Sequence, residues 1–177
     1  MSARAVVDTN VLLVANRCHE AASPSCVANC AKALQRISDD QRKLVIDNRL
    51  EIVREYQKKL NPRRPGVGDA FLKWVLTNHA NPLRIEKAEI HACDDQRGYE
   101  EFPGNAELAD FDPADRKFVA LSRAHNKHPP VLQALDSKWV GWENDLAKEG
   151  VVVEHLCWAD ASAIFTKKFP KSSAQDT

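Results

Sequence analysis

Short apolar bursts that stop at an aspartate, each followed by a segment with helical patterning, constrain this chain more than any other feature. Residues 5–7 run into Asp8, residues 43–46 into Asp47, and VLQAL at residues 131–135 into Asp136. A burst of this length suits a strand buried on both faces. The residues after each one keep their apolar side chains on one face of a helix. Alternating strands and helices imply a mainly parallel sheet covered on both sides, joined by right-handed crossovers. The expected architecture is therefore a single three-layer α/β/α domain. A carboxylate is costly inside a dry core, so Asp8 in VVDTNVLL belongs where a strand ends and the chain turns. Open α/β sheets bind ligands at that edge.

Turn and capping residues mark the other elements. Ser23 and Pro24 read as an N-cap and first helical position, opening a helix to about residue 36. Leu50, Ile52, Val53, Tyr56 and Leu60 share a helical face after the second strand, and NPRRPGVG at residues 61–68 is a loop before the helix DAFLKWVLT. Residues 81–104 have a mixed polar pattern that permits strands or loops. Asp112 and Pro113 open a helix reaching about residue 125. Residues 139–148 read as a helix ended by Gly150, residues 151–153 as a strand, and residues 159–168 as a last helix. No repeat or linker suggests a second domain, so residues 1–170 are expected to form one unit and 171–177 a frayed tail.

Bulk numbers narrow the function classes. The chain has 177 residues, 44% of them hydrophobic and 28% charged, as expected of a folded globular domain. Lys plus Arg and Asp plus Glu balance at 25 each, so any polyanion must be met by local patches rather than by net charge. No apolar run nears the roughly 20 residues that a membrane-spanning helix needs. Five cysteines without dense spacing, and an N-terminus lacking a long apolar leader, suggest a reducing cytoplasm. Cys26 and Cys30, one helical turn apart, read as small buried hydrophobes. With Cys18 and His19 before them a soft-metal site is conceivable, although the spacing fits no familiar zinc pattern.

Acidic side chains recur at strand ends and helix starts. Asp8 and Asp136 close apolar runs, and Asp115 lies in the first turn of a helix. Asp112 has the simpler role of a cap. Glu51 and Glu55, one turn apart after the second strand, offer one more carboxylate, either of which could instead pair with Arg54 or Lys59 along the helix. Four carboxylates in one crevice would not all ionise without a cation. Oxygen ligands of this kind select Mg²⁺ or Mn²⁺, whose usual work on phosphodiesters is hydrolysis.

VVDTNVLL, DFDPADRKFVALSRAH and QALDSKW, taken in order, resemble the PIN-domain family of metal-dependent ribonucleases over nearly the whole chain. The resemblance implies that Asp8, Glu55, Asp115 and Asp136 hold Mg²⁺ or Mn²⁺. Asp112 and Glu51 are further candidates, and Glu55 is preferred to Glu51 because Tyr56 follows it. Thr9 and Asn10 would orient Asp8. It also implies a single-stranded or loop RNA substrate and a cytoplasmic protein, with an antitoxin or defence-system component as a conceivable partner and a homodimer as a conceivable state. The basic run of Lys58, Arg63 and Arg64 would meet the RNA backbone. Phe71, Trp74 and Trp139 could stack bases, but aromatic residues at helical spacing more often belong to a core. Two alternatives stand beside this reading: a catalytically inactive PIN-fold module that binds RNA or protein, and a receiver-type signalling domain, since VVDTN is one residue from VVDDN.

Overall fold

The computed structural model describes residues 3–170. Five parallel strands stand in the order β3-β2-β1-β4-β5: β1 Ala3–Val7, β2 Arg42–Asp47, β3 Ile85–Ala88, β4 Val131–Gln133 and β5 Val153–His155. The helices are α1 Thr9–Ala15, α2 Pro24–Ser38, α3 Glu51–Lys59, α4 Val67–Asn78, α5 Arg116–Ala124, α6 Lys138–Lys148 and α7 Trp158–Lys168. Helices α1 to α4 pack on one another, α5 lies against β1, β2 and β4, and α6 packs on α7, giving the expected three-layer α/β/α domain. Val6, Val7, Leu44, Val45, Ile46, Val131 and Leu132 are completely buried. That is why their strands read as unbroken apolar bursts rather than as alternating patterns. Among the described residues no helix is long and apolar enough to cross a membrane. The expected tail at 171–177 lies outside the described residues.

From β1 the chain first builds outward through β2 and β3, then returns to place β4 and β5 on the other side of β1. The switch point of the sheet is therefore the crevice between the carboxyl ends of β1 and β4. Those are the strands that lead into Asp8 and Asp136.

Several boundaries differ from the sequence reading for identifiable reasons. The residues after Asp8 form a helix at once rather than a turn, since a buried helix and a buried strand have the same apolar appearance over so short a stretch. The final strand begins at Val153, two residues later than its apolar run suggests. Val152 is 59% exposed, and only its carbonyl joins the sheet, accepting from the Val131 amide at 2.9 Å. Residues 81–104 contribute only β3 and an isolated bridge between Ala92 and Tyr99. Pro113–Asp115 forms a 3-10 turn that leads into α5. The helix cap at Ser23 is as expected, with its hydroxyl accepting from the Cys26 amide.

The start of α4 is fixed by one close approach. A Cβ on Gly68 would lie 2.2 Å from the Leu12 carbonyl oxygen of α1. The Asn16 carboxamide oxygen, at the end of α1, accepts from the Gly68 and Asp69 amides at 2.6 and 3.2 Å. Asn16 thereby caps α4 from outside its own helix.

Cys26 is not merely a small hydrophobe: it forms a disulfide with Cys157, 131 residues away, which joins α2 to the start of α7. A disulfide runs against the expectation of reduced thiols throughout, and no local spacing could have revealed so distant a pair. Cys30 is free and buried, and its burial pushes the thiol up to about 12.

Candidate metal centre

Asp8 is the N-cap of α1, and its carboxylate accepts from the Asn10 amide at 2.7 Å. Its other oxygen accepts from the Gln133 side-chain amide of β4 at 2.6 Å. The local turn and the neighbouring strand thus both orient this carboxylate. Asn10 extends the arrangement, because its side-chain oxygen accepts from the Leu135 amide at 2.6 Å. That bond ties the start of α1 to the segment that carries Asp136 next.

Helix α3 delivers the glutamate. Its N-terminus is capped by buried Asp47, whose two oxygens accept from the Glu51 and Ile52 amides at 2.9 and 3.0 Å. One turn on, the buried Tyr56 hydroxyl donates to the Val7 carbonyl at the end of β1. With Tyr56 fastened there, Glu55 faces the carboxyl edge and accepts from the Thr9 hydroxyl at 2.7 Å. The second Glu55 oxygen is paired with Lys117 of α5. Glu51 is directed elsewhere, accepting from the Tyr99 hydroxyl at 2.6 Å. The structure therefore brings Glu55, rather than Glu51, to Asp8.

The remaining acids come from the two later crossovers. Asp115 closes the 3-10 turn before α5, and Asp112 caps that turn by accepting from the Ala114 amide at 3.0 Å. Asp112 also lies 3.5 Å from the Lys138 ammonium. Asp136 follows β4, with one oxygen accepting from the Lys138 amide at 3.2 Å.

Their mutual influence is electrostatic. Burial, and then the nearby charges of Asp115, Asp136 and Glu55, hold the Asp8 carboxyl well above the usual carboxylate range. Asp115 is pushed up to about 7 by burial and then by Asp136, Asp112 and Glu55. Burial is the larger cause of both shifts, and the repulsion of neighbouring carboxylates adds to it. Among the described residues, Cys26, Cys30 and Cys157 form one group whose ligand atoms all lie within 4.8 Å of one another, and His91, Glu100 and Glu101 form another. No three of the four edge acids meet that limit.

Lys58, Arg63 and Arg64 are exposed, and the two arginines line a cleft of about 550 Å³ with Pro62, Pro65, Ala70 and Lys73. None of the four acids lines that cleft. Phe71 and Trp139 are buried and Trp74 is half-buried, stacked on Phe71 with ring centroids 5.6 Å apart. Core packing explains Phe71 and Trp74, whereas Trp139, packed on Phe111, also borders Asp115. Two residues at the acidic edge escaped the sequence reading: Gln133, which holds Asp8, and Lys117, which holds Glu55. Lys117 lies only two positions after Asp115, so its proximity could have been anticipated. Gln133 in the apolar run VLQAL was also a visible signal, as a polar side chain in an otherwise buried strand.

No protein-family model, curated protein or solved structure matches this chain.

Proposed function

We propose that this chain is a PIN-type ribonuclease that hydrolyses single-stranded or loop RNA with the help of Mg²⁺ or Mn²⁺. The observation that carries the reading is that Asp8, Glu55, Asp115 and Asp136, from four separate crossovers, lie near enough at the carboxyl edge of the sheet for their charges to act on one another. Carboxylates that raise one another's proton affinity form a fitting donor set for a hard divalent cation. When bound, such a cation lowers the pKa of a water and neutralises charge on a phosphodiester.

The chain's own side chains do the rest. Asp8, Glu55, Asp115 and Asp136 hold the cation directly or through water, with Asp112 beside Asp115 as a further acid. Gln133 and Asn10 fix the direction of Asp8 and the position of the Asp136 segment, and Thr9 orients Glu55. Lys117 and Lys138 put positive charge among these acids, where it offsets their repulsion and meets an incoming phosphate. No covalent enzyme intermediate is needed. The receiver reading loses ground on topology, because receiver domains place their strands in the order 2-1-3-4-5, whereas β2 and β3 here lie together on one side of β1.

Cleavage of a labelled single-stranded RNA in Mn²⁺ tests the reading. Wild type should cut, chelation should stop it, and Asp8→Asn should lower the rate at least about a hundredfold while circular dichroism stays unchanged. Equal rates for wild type and Asp8→Asn would remove the metal-nuclease assignment. A folded wild type that binds RNA without cutting it would favour the inactive RNA-binding module.

A further inference from the structure

Away from the acidic edge, three sulfurs converge between α2 and α7. Cys26 and Cys30 are one turn apart on the same face of α2, and Cys157 opposes them at the N-terminus of α7. Their exposures are 2%, 0% and 5%. Cys26 and Cys157 are bonded, while the Cys30 sulfur lies 3.8 Å from that of Cys157, and all three fall within 4.8 Å of one another. A clamp between two helices needs only two cysteines. The third sulfur, at this distance, has another use.

Thiolates that share a tetrahedral cation at the usual zinc–sulfur bond length stand about 3.8 Å apart. Cys30 and Cys157 already have that separation, and opening the disulfide would let Cys26 move outward to match it. We propose that the reduced protein binds a soft divalent cation of the zinc class through Cys26, Cys30 and Cys157, and that the disulfide is the oxidised, metal-free form of the same site. A dithiol supplies the change: it passes two electrons and two protons to Cys26 and Cys157 and becomes a disulfide itself. The cation then replaces three thiol protons, which leave to solvent, and keeps its own oxidation state. Three thiolates leave one tetrahedral position for a solvent molecule.

Either form ties α7 to α2 at a junction also held by polar bonds. The Ser23 amide donates to Asp160 of α7 at 2.9 Å, and the Asn29 side chain donates to the Leu156 carbonyl at 3.0 Å. In a reducing environment the cation would replace the covalent bond as the tie. The site is chemically unlike the carboxylate edge, since thiolates select soft cations and carboxylates hard ones.

The test uses the full chain, reduced with dithiothreitol, desalted without oxygen and titrated with Co²⁺, whose bond to thiolate gives an intense near-ultraviolet charge-transfer band. One Co²⁺ per chain should produce that band, and Zn²⁺ should abolish it by displacement. The unreduced protein should give no band. Cys30→Ser should bind at least about tenfold more weakly, whereas a Cys18→Ser, Cys93→Ser double variant and Asp8→Asn should match wild type. Formation of the Cys26–Cys157 disulfide in oxidised Cys30→Ser shows that this variant folds, and Cys30→Ala serves if it does not. Absence of the band from reduced wild type, or an undiminished band in folded Cys30→Ser, overturns the proposal.

Discussion

Asn10 does more at the acidic edge than its place in a short turn suggests. Its amide donates to Asp8 and its side chain accepts from Leu135, so one residue sets the spacing of two proposed ligands. Asn10→Ala is expected to destabilise the fold by about 1–2 kcal/mol, as a half-buried hydrogen bond is lost. It should also raise the Mn²⁺ concentration needed for half-maximal cleavage by about 10- to 100-fold, the usual penalty for losing a residue that orients a ligand. A manganese titration of the cleavage rate checks the second figure. Asp8 and Asp136 were legible because a charge interrupts or ends an apolar run. Gln133 and Lys117 were visible as residue types but not as contacts, since each acts across a gap that only the folded sheet closes.

At the scale of elements, the alternation of bursts and amphipathic segments was enough to anticipate a parallel sheet, and Ser23–Pro24 marked the start of α2 as expected. What could not be read was α1, whose VLLVA run is buried whichever conformation it adopts, and β3, whose short pairing with β2 lies in a mixed polar stretch. The choice of Glu55 over Glu51 depends on an element as well: Asp47 caps α3 and Tyr56 anchors it to β1, which fixes its rotation. Asp47→Ala leaves two helix-start amides without their acceptor and should cost about 1–3 kcal/mol in denaturant unfolding. Gly68→Ala should cost a similar amount, about 1–3 kcal/mol, because α4 must retreat from the Leu12 carbonyl. Crowding of this kind predicts that Gly68→Ser is at least as harmful as Gly68→Ala, an order that a simple loss of loop flexibility does not require.

Across the whole molecule, the edge opposite the acids is held by charge. Glu86 of β3 pairs with Arg4 of β1 at 2.7 Å, with Lys43 of β2 at 3.2 Å and with His125 after α5 at 2.9 Å. These partners, Arg4 foremost, bring the Glu86 carboxyl down to about 2 from the ordinary 4.5. A carboxyl lowered in the folded state contributes stability that is present above its unfolded pKa and is lost as pH falls toward its folded one. Glu86→Gln should therefore unfold more easily than wild type at pH 7, and the gap should narrow steadily between about pH 4.5 and pH 2. Urea midpoints at pH 7 and pH 3 measure it; a gap that widens in acid would contradict the pairing. The Cys26–Cys157 disulfide adds a covalent tie between residues 131 apart in the chain.

Four crossovers that present carboxylates to one divalent cation should reveal that cation at the carboxyl edge. Anomalous diffraction from crystals soaked in Mn²⁺ looks for it there. A peak within coordination or water-bridged reach of Asp8, Asp115, Asp136 and Glu55 is the predicted result. No peak at that edge, or one confined to the exposed group of His91, Glu100 and Glu101, would contradict it.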